Sequence, residues 1–275
     1  MTHPLSDTLR HKKLYLLDMD GTLYLGDRLF PVALPFLNAL RAAGARYLFL
    51  TNNSSRGTGS YVQKLGGMGI SACEEDFFTS TDAACAYLRA HYSGAKIYVL
   101  GTASFRRHLK QKGFPVTDQL EDDVDCLLMG YDTELTYQKL IDASILLGRN
   151  VTYLATNPDW VCPTEYGYIP DCGSIAQALE HATGRLPRFL GKPEPAIARL
   201  AMEKKQAAPE QTVMIGDRIY TDIACGKRAG TSTILVFSGE TTPEVWRQSD
   251  IKPDVALAGV EDILPALRGA SLSSL

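Results

Sequence analysis

The sequence has none of the features that mark membrane proteins, secreted proteins or nucleic-acid-binding proteins. None of its apolar runs approaches the ~20 residues that a helix needs to cross a bilayer. The first 13 residues, MTHPLSDTLRHKK, are polar and lack the apolar core of a secretory signal. Basic residues form no long runs, and 28 of them against 31 acidic residues leave a formal net charge of −3, which gives no broad attraction to nucleic acid or membrane. We therefore expect a soluble, cytoplasmic protein that binds neither.

Cysteine is scarce and scattered. There are no CxxC pairs and no clustered histidines, so the pattern predicts buried thiols in a reducing compartment, and neither a disulfide framework nor a zinc site. The six residues are Cys73, Cys85, Cys126, Cys162, Cys172 and Cys225.

Several nucleotide-binding and catalytic motifs are also missing. No GxxxxGK[ST] stretch is present, which argues against a P-loop enzyme. The segments GTGSYV and LGGMGI do not fit GxGxxG, so a dinucleotide site is disfavoured. There is no GxSxG elbow, and the five histidines have no nucleophile signature beside them. His108 and His181 fall in predicted helices, where structural or surface roles are expected.

Short apolar runs alternate with amphipathic stretches along the chain. Each run is four or five residues of mainly Val, Ile, Leu and Tyr and is followed by Gly or a polar residue, as in parallel strands covered on both faces. The alternation predicts an α/β fold with a doubly wound parallel sheet. The runs are Leu14–Leu17, Tyr47–Leu50, Ile97–Leu100, Cys126–Met129, Val151–Ala155, Val213–Ile215 and Ile234–Phe237.

The polar signals at strand ends are unevenly distributed. They are strong after the first two runs and after the Val213 run, whereas residues 93–186 carry strands and helices without a paired-acid motif. We therefore predict a catalytic core formed by residues 1–92 and 187–275, with an inserted α/β cap domain at 93–186.

Three acids stand where apolar runs end. Asp18 and Asp20 are two residues apart in LYLLDMDGT, so an extended backbone would direct both to one side. Asp217 follows VMIG. Ligands of open parallel sheets bind beyond the carboxyl ends of the strands, and oxygen-only ligand sets favour Mg²⁺. Taken singly, each acid could instead form a turn or cap a helix; their joint placement favours a magnesium site.

Two further stretches suit an anion. TNNSS, at residues 51–55, offers a hydroxyl, amides and backbone N–H groups where a helix is predicted to begin, which suits an anion and is equally compatible with a helix cap. Lys192 lies in LGKPEP between a glycine and a proline. A lone lysine is more often a solvated surface residue.

These motifs, in this order, resemble those of the haloacid dehalogenase superfamily of phosphatases. DMDGTL, LTNNS, GKPEP and GDRIYTDI look like its four motifs, and ATNPD…CGSI looks like the cap of the NagD-like, p-nitrophenyl phosphate and phosphoglycolate phosphatase branch. The resemblance spans nearly the whole chain. It implies a Rossmann-like core with a cap, and a phosphatase that acts on small phosphomonoesters. It also implies that the caps of two copies can pair to form a homodimer.

The resemblance also implies a role for each matching residue. Asp18 would be the nucleophile that becomes an aspartyl-phosphate, and Asp20 would be the general acid and base. Mg²⁺ would be held by Asp18, the Asp20 backbone carbonyl and Asp217, with Asp222 in support. A final set would hold phosphoryl oxygens: Thr51, the backbone of Asn52 and Asn53, and Lys192.

Within the predicted cap, residues 156–174 combine polar and aromatic side chains with turn-forming Pro and Gly. Selectivity requires a second surface over the leaving group, and this stretch is our candidate. Asn157 and Asp159 are the expected substrate-binding residues, while Trp160, Tyr166 and Tyr168 fit a packed interface equally well.

Rival functions remain open from the sequence. A phosphotransferase or mutase would pass the phosphoryl group to a sugar. A receiver-like phosphoacceptor protein would share the acidic pocket, but such a module needs only ~120 residues. The physiological substrate is not decided by these motifs: sugar phosphates, nucleoside monophosphates, phosphoglycolate and pyridoxal phosphate all fit.

Overall fold

A computed structural model describes residues 4–9, 11–164 and 167–270 of the chain. These residues divide into two compact units. The first contains the described residues of Met1–Thr51, Val62–Phe78 and Lys192–Leu275, and the second contains those of Asn52–Tyr61 and Thr79–Gly191. The chain therefore passes from one unit to the other four times.

The strands of the described residues are β1 (Leu14–Leu17), β2 (Tyr24–Leu25), β3 (Arg28–Leu29), β4 (Arg46–Thr51), β5 (Phe77–Thr79), β6 (Ile97–Leu100), β7 (Val116–Thr117), β8 (Cys126–Met129), β9 (Thr152–Ala155), β10 (Val161–Thr164), β11 (Gly167–Pro170), β12 (Arg188–Phe189), β13 (Thr212–Gly216), β14 (Ser232–Val236) and β15 (Val255–Leu257). The α-helices are α1 (Pro4–Leu9), α2 (Ala33–Ala42), α3 (Thr58–Gly67), α4 (Ser80–His91), α5 (Ala103–Gln111), α6 (Tyr137–Gly148), α7 (Cys172–Thr183), α8 (Pro195–Lys204), α9 (Ala224–Ala229), α10 (Pro243–Gln248) and α11 (Leu264–Ala270).

A six-stranded sheet in the order β15-β14-β13-β1-β4-β5 forms the core of the first unit. The central strands pair in parallel, with Leu14 opposite both Thr212 and Arg46. All four residues of β1 are buried, as expected of a parallel strand covered on both faces. Since β13, β1 and β4 are neighbours and run in the same direction, the residues that follow them lie at one edge of the sheet.

The second unit has its own parallel sheet, in the order β12-β9-β8-β6-β7. Its apolar core includes Tyr98, Leu127 and Tyr153 from three adjacent strands and Leu146 from α6. A separate antiparallel hairpin joins β10 and β11, with Val161 opposite Pro170.

The predicted α/β class is confirmed, and each predicted run is a strand. Those at 14–17, 97–100 and 126–129 have the predicted bounds, while the others differ by one or two residues at an end. The strands of two or three residues were not predicted because so short a stretch carries too little periodic pattern. The four-residue strands β10 and β11 were not predicted either, because proline and glycine interrupt their segment. The predicted helices at His108 and His181 are present as α5 and α7.

The predicted domain limits at 93 and 186 both fall inside the second unit, whose main segment is Thr79–Gly191. This unit also contains Asn52–Tyr61, a segment distant in sequence whose TNNSS motif gave no indication that it belongs with residues 79–191. Its assignment as a cap stays a prediction.

The cysteine prediction was only partly right. All six cysteines are free thiols, but Cys73 is exposed and Cys162 is half-buried, so the expectation that all are buried was wrong. Cys73 lies in a loop, with its thiol 3.3 Å from an oxygen of Asp76. No helix among the described residues is long and apolar enough to span a membrane.

Candidate active site

Three carboxylates of the first unit converge at the carboxyl edge of its sheet. Asp18 follows β1 and Asp217 follows β13, and these two strands are paired in register. Asp222 lies in the π-helical turn Ile219–Ile223 that leads into α9, a type of irregular turn often found at functional sites. One oxygen of each carboxylate lies within 4.8 Å of those of the other two.

Lys192 is the cation of this cluster. Its ammonium group donates hydrogen bonds to Asp18 Oδ1 at 2.6 Å, to Asp222 Oδ1 at 2.6 Å and to the Leu50 carbonyl at 3.0 Å. The Lys192 side chain is only 3% exposed. A buried ammonium group needs this set of partners, since an unpaired buried charge is strongly unfavourable. The structure thus places Lys192 inside the acidic cluster and not on the solvated surface.

The electrostatics of the cluster follow from this burial. Burial raises the pKa of Asp18 to about 7; Lys192 opposes this rise, and repulsion from Asp222 adds to it. Burial, together with repulsion from Asp18 and Asp222, raises the pKa of Asp217 well above its usual value. Burial alone would lower the pKa of Lys192, but the attraction of Asp18 and Asp222 outweighs it and the pKa is raised. Three acids against one lysine leave this edge of the sheet short of positive charge.

The position of Asp217 is fixed by its surroundings. Its Oδ2 accepts a hydrogen bond of 2.6 Å from the Glu240 backbone N–H. Gly21, with φ of +84°, lies so close that a Cβ at that position would be 2.4 Å from Asp217 Oδ2. The residue after Asp20 must therefore be glycine, both for its backbone conformation and for the room it leaves.

Asp20 does not belong to the group of three carboxylates. Its backbone forms a bridge with Tyr24, at the start of the small hairpin β2–β3. Within the described part of the chain its Oδ1 is buried and has no hydrogen-bond partner. Burial raises the pKa of Asp20, while the positive charge of Lys64 opposes the rise.

Thr51 is the buried last residue of β4, the strand on the other side of β1. The two residues that follow belong to the second unit. The Asn52 side chain donates to Asp159 Oδ2 at 3.0 Å. Asn53 Oδ1 accepts from the Ser55 backbone N–H at 3.0 Å and from its hydroxyl at 2.7 Å, which forms a local turn.

The predicted substrate residues of the 156–174 segment differ in exposure. Asn157 and Asp159 are buried, and Asn157 Nδ2 donates to Asp159 Oδ2 at 2.9 Å. In contrast, Trp160 is 52% exposed and Tyr168 is 66% exposed. Tyr166 lies outside the described residues.

The sequence did not reveal three of these arrangements: the ion pair of Lys192 with Asp222, the Glu240 N–H bond to Asp217, and the bond between Asn52 and Asp159. For the first, the resemblance implied both residues as part of the site, but no pattern in the sequence predicts that they pair. The other two join segments that no local pattern connects.

The donor set fits a divalent cation. All three clustered groups are carboxylates, the ligand type that Mg²⁺ and Ca²⁺ prefer. Asp217 Oδ1 is buried and makes no hydrogen bond within the described ranges, which is expected of an oxygen oriented towards an ion. The two oxygens of Asp222 accept instead from Lys192 and from the Arg218 N–H at 3.0 Å, so Asp222 is better placed to support the site.

Comparison with known proteins gives a consistent result. Residues 15–115 match the family described as haloacid dehalogenase-like hydrolase, and residues 189–263 match a family described as HAD-hydrolase-like. The chain is 35% identical over 245 residues to the acid sugar phosphatase of Staphylococcus haemolyticus, covering 89% of this chain and 92% of that protein. It is 34% identical over 251 residues to the 5'-nucleotidase YutF of Bacillus subtilis, covering 91% and 97%.

Among solved structures, the crystal structure of a 4-nitrophenylphosphatase from Thermotoga maritima is similar, with a TM-score of 0.89 and 38% sequence identity. That match covers 96% of this chain and 99% of the other. The sequence motifs, the parallel sheet with its acidic edge and these relatives all agree. The chain therefore belongs to the haloacid dehalogenase-like hydrolases, in their NagD-like branch of phosphatases.

Proposed function

We propose that the protein is a Mg²⁺-dependent phosphomonoester hydrolase that acts on a small phosphorylated metabolite through an aspartyl-phosphate on Asp18. The observation that best supports this function is the buried group of Asp18, Asp217 and Asp222 beside Lys192. With a divalent cation bound, such a site could neutralise a phosphate dianion and still present a carboxylate to it.

Two residues carry the covalent chemistry. A carboxylate oxygen of Asp18 attacks phosphorus and the bond from phosphorus to the leaving oxygen breaks, while Asp20 gives its proton to that oxygen. Asp20 then takes a proton from a water molecule, which attacks the phosphorus of the aspartyl-phosphate. The bond between Asp18 and phosphorus breaks, inorganic phosphate leaves, and both carboxyl groups return to their starting states.

In this proposal the cation is held by Asp18, Asp217 and the backbone carbonyl of Asp20, with Asp222 in support. When bound, Mg²⁺ neutralises negative charge on the phosphoryl oxygens and on the acids around them. The structure supports this assignment through the unpartnered Oδ1 of Asp217.

Phosphoryl oxygens are assigned to Lys192, to Thr51 and to the backbone of Asn52 and Asn53. Thr51 ends the strand next to β1, so it lies at the same edge of the sheet as Asp18. Lys192 already contacts Asp18. Its ammonium charge could pair with a phosphoryl oxygen in place of a carboxylate.

The second unit is assigned to substrate selection. The segment 156–174, with Asn157 and Asp159 as the substrate residues predicted from the sequence, is the candidate surface for the leaving group; Trp160 and Tyr168 are exposed in it. Relatives include an acid sugar phosphatase and a 5'-nucleotidase, so sugar phosphates and nucleoside monophosphates come first in a screen of phosphorylated metabolites with the purified protein.

The central test replaces the nucleophile. Asp18→Asn is expected to abolish cleavage of p-nitrophenyl phosphate and to remain folded, because the amide is nearly the same size but a poor nucleophile. The matched control is Asp254→Asn, which removes another carboxylate of the first unit that pairs with a lysine, Lys227, at 2.6 Å. That variant should keep full activity. Substantial turnover by Asp18→Asn would refute the role of Asp18.

Removal of the metal is a separate test. EDTA should inhibit the wild type, and added Mg²⁺ should restore activity.

Product analysis separates the alternatives. Release of inorganic phosphate, unchanged when sugar or alcohol acceptors are added, is expected for a hydrolase. Transfer to the acceptor would indicate a phosphotransferase or mutase. A stable acyl phosphate with negligible turnover would indicate a receiver-like protein.

A further inference from the structure

The second unit contains a buried polar cluster at the points where the chain enters and leaves it. Asn52, Thr79 and Gly191 are the residues at three of the four passages between the units. The Ser80 hydroxyl, one residue after such a passage, donates to the Asn52 carbonyl at 2.6 Å. A Cβ on Gly191 would lie 2.6 Å from Asn52 Oδ1 and 3.0 Å from Ser80 Cβ. Three distant segments of the sequence therefore meet at Asn52.

The Asn52 side chain is held by the segment that follows β9. Its Nδ2 donates to Asp159 Oδ2 at 3.0 Å, and the same oxygen accepts from Asn157 Nδ2 at 2.9 Å. Asn157 also donates to Asp171, the N-cap residue of α7, at 3.2 Å. All four side chains are buried, so the bonds are shielded from competing water.

Residues after Asn52 continue along the carboxyl edge of the second sheet. The Ser54 and Thr156 hydroxyls are 2.8 Å apart, and the Tyr131 N–H donates to Ser54 Oγ at 2.9 Å. The Thr102 hydroxyl donates to the Ser55 carbonyl at 2.7 Å. Tyr131, Thr102 and Thr156 follow β8, β6 and β9, at the edge where open α/β sheets bind ligands. Here the protein's own segment 52–55 lies along that edge.

We propose that Asp159 is a positioning residue of the phosphatase site, which acts through Asn52 to fix the backbone immediately after Thr51. This inference rests on the proposed function, because it assigns a purpose to the loop that would hold the phosphoryl group. It also gives Asn157 and Asp159 a role that differs from the substrate contact predicted from the sequence.

The physical basis is the cost of removing one amide donor from a buried carboxylate. With Asn52 in place, Asp159 Oδ2 has two amide donors, and the Asn52 main chain has one preferred position. Without this bond the Asn52 carbonyl keeps its hydrogen bond from Ser80, but the side chain no longer fixes the backbone through Asp159. Small displacements of groups that orient a reacting phosphoryl group can lower rates by about a hundredfold.

The test is a double-mutant cycle with Asn52→Ala, Asp159→Ala and both together. Binding of inorganic phosphate to the Mg²⁺-loaded protein is measured by calorimetry, and kcat and KM are measured with p-nitrophenyl phosphate and with a sugar phosphate. Each single variant should weaken phosphate binding and lower kcat/KM by about tenfold or more. The double variant should be no worse than the more affected single variant, because both remove the same bond.

Two comparisons separate positioning from direct substrate contact. Loss of positioning should lower kcat/KM by the same factor for both substrates, since the phosphoryl group is common to them. A direct contact with the leaving group would instead change the ratio between substrates. Asp159→Asn keeps an oxygen acceptor and should retain most of the phosphate affinity.

A control variant accounts for damage to folding. Asp142 is a buried acid of the same unit that accepts from Tyr98 and Gln138, at 3.1 Å and 2.8 Å. Asp142→Ala should lower the melting temperature but leave phosphate binding unchanged. Three results would each overturn the inference. They are additive effects of the single variants, unchanged phosphate affinity in Asp159→Ala, and losses that depend on the leaving group. An inactive wild type would count against the proposed function alone, because phosphate binding still tests the positioning role.

Discussion

At the scale of single residues, the site is defined by an imbalance of charge. Asp18, Asp217 and Asp222 share one lysine in surroundings that exclude most water. Like charges at such distances repel strongly when buried. The arrangement is stable only with additional positive charge or with protons on the acids, which is a reason to expect a cation there.

The glycine after Asp20 provides a sharp test of this geometry. Gly21→Ala is expected to reduce phosphatase activity by at least about a hundredfold, because the new Cβ would lie 2.4 Å from Asp217 Oδ2 and must displace that carboxylate. The measurement is kcat/KM with p-nitrophenyl phosphate, together with the Mg²⁺ concentration required for half-maximal activity, which should rise.

Gly44→Ala is the control for backbone strain. Gly44 has a similar φ of +70°, but no atom lies within 4 Å of its added Cβ. This variant should lose about 1 kcal/mol of stability through its left-handed conformation and keep its activity. Equal activity losses in the two variants would show that strain, and not displacement of Asp217, is responsible.

The strand-end residues were predictable from the sequence, whereas their contacts were not. Asp18 and Asp217 are visible as acids directly after apolar runs, and parallel strands bring such positions to one edge. Pairing of Lys192 with Asp222 depends on the π-helical turn that contains Asp222, and no periodic pattern in the sequence predicts such a turn. The bond from Asn52 to Asp159 joins residues 107 positions apart.

At the scale of elements, one helix cap of the second unit also holds a neighbouring segment. Thr102 caps α5 by accepting from the Phe105 N–H at 3.0 Å, and its own hydroxyl donates to the Ser55 carbonyl. It is buried. Thr102 thus lies at the end of the link from β6 to α5, caps that helix and binds the segment 52–55 through Ser55.

Substitution of two threonine caps should separate these roles. Thr102→Ala is expected to cost about 2 kcal/mol or more, because a cap is lost and a buried carbonyl loses its donor. Thr242→Ala removes the exposed cap of α10, where the Val245 N–H donates at 3.3 Å, and should cost about 1 kcal/mol or less. Urea unfolding followed by circular dichroism measures both. Equal costs would mean that the bond to Ser55 adds nothing.

The apolar runs of the sequence predict strands well, because burial on both faces requires several consecutive apolar residues. Elements such as β12, with Arg188 and Phe189 alone, owe their form to a neighbouring strand and not to their own composition. The hairpin β10–β11 lies in the segment 156–174, where turn-forming proline and glycine interrupt the alternation that would predict strands.

At the scale of the whole molecule, the acidic cluster links stability to metal binding. A cation that binds the folded protein and not the unfolded chain stabilises it, by about 2.7 kcal/mol at a hundred times its dissociation constant. We therefore expect Mg²⁺ to raise the melting temperature of the wild type, with EDTA reversing the shift. Differential scanning calorimetry provides the measurement.

The comparison variant is Asp217→Asn, which removes one of the like charges and one proposed ligand. Without metal it should melt at or above the wild-type temperature, because burial penalises the carboxylate there. Its response to Mg²⁺ should be small. A wild-type melting temperature that does not change with Mg²⁺ would argue against a resident cation at this cluster.

Because the chain crosses between its two units four times, exchanging one unit with a relative needs care. A chimaera that exchanges only residues 79–191 with a relative would leave behind the segment Asn52–Tyr61, which folds with that block. The graft would then carry an Asp159 whose partner comes from the host sequence. Transplanting the second unit of one family member into another therefore calls for both pieces to be moved as a matched set.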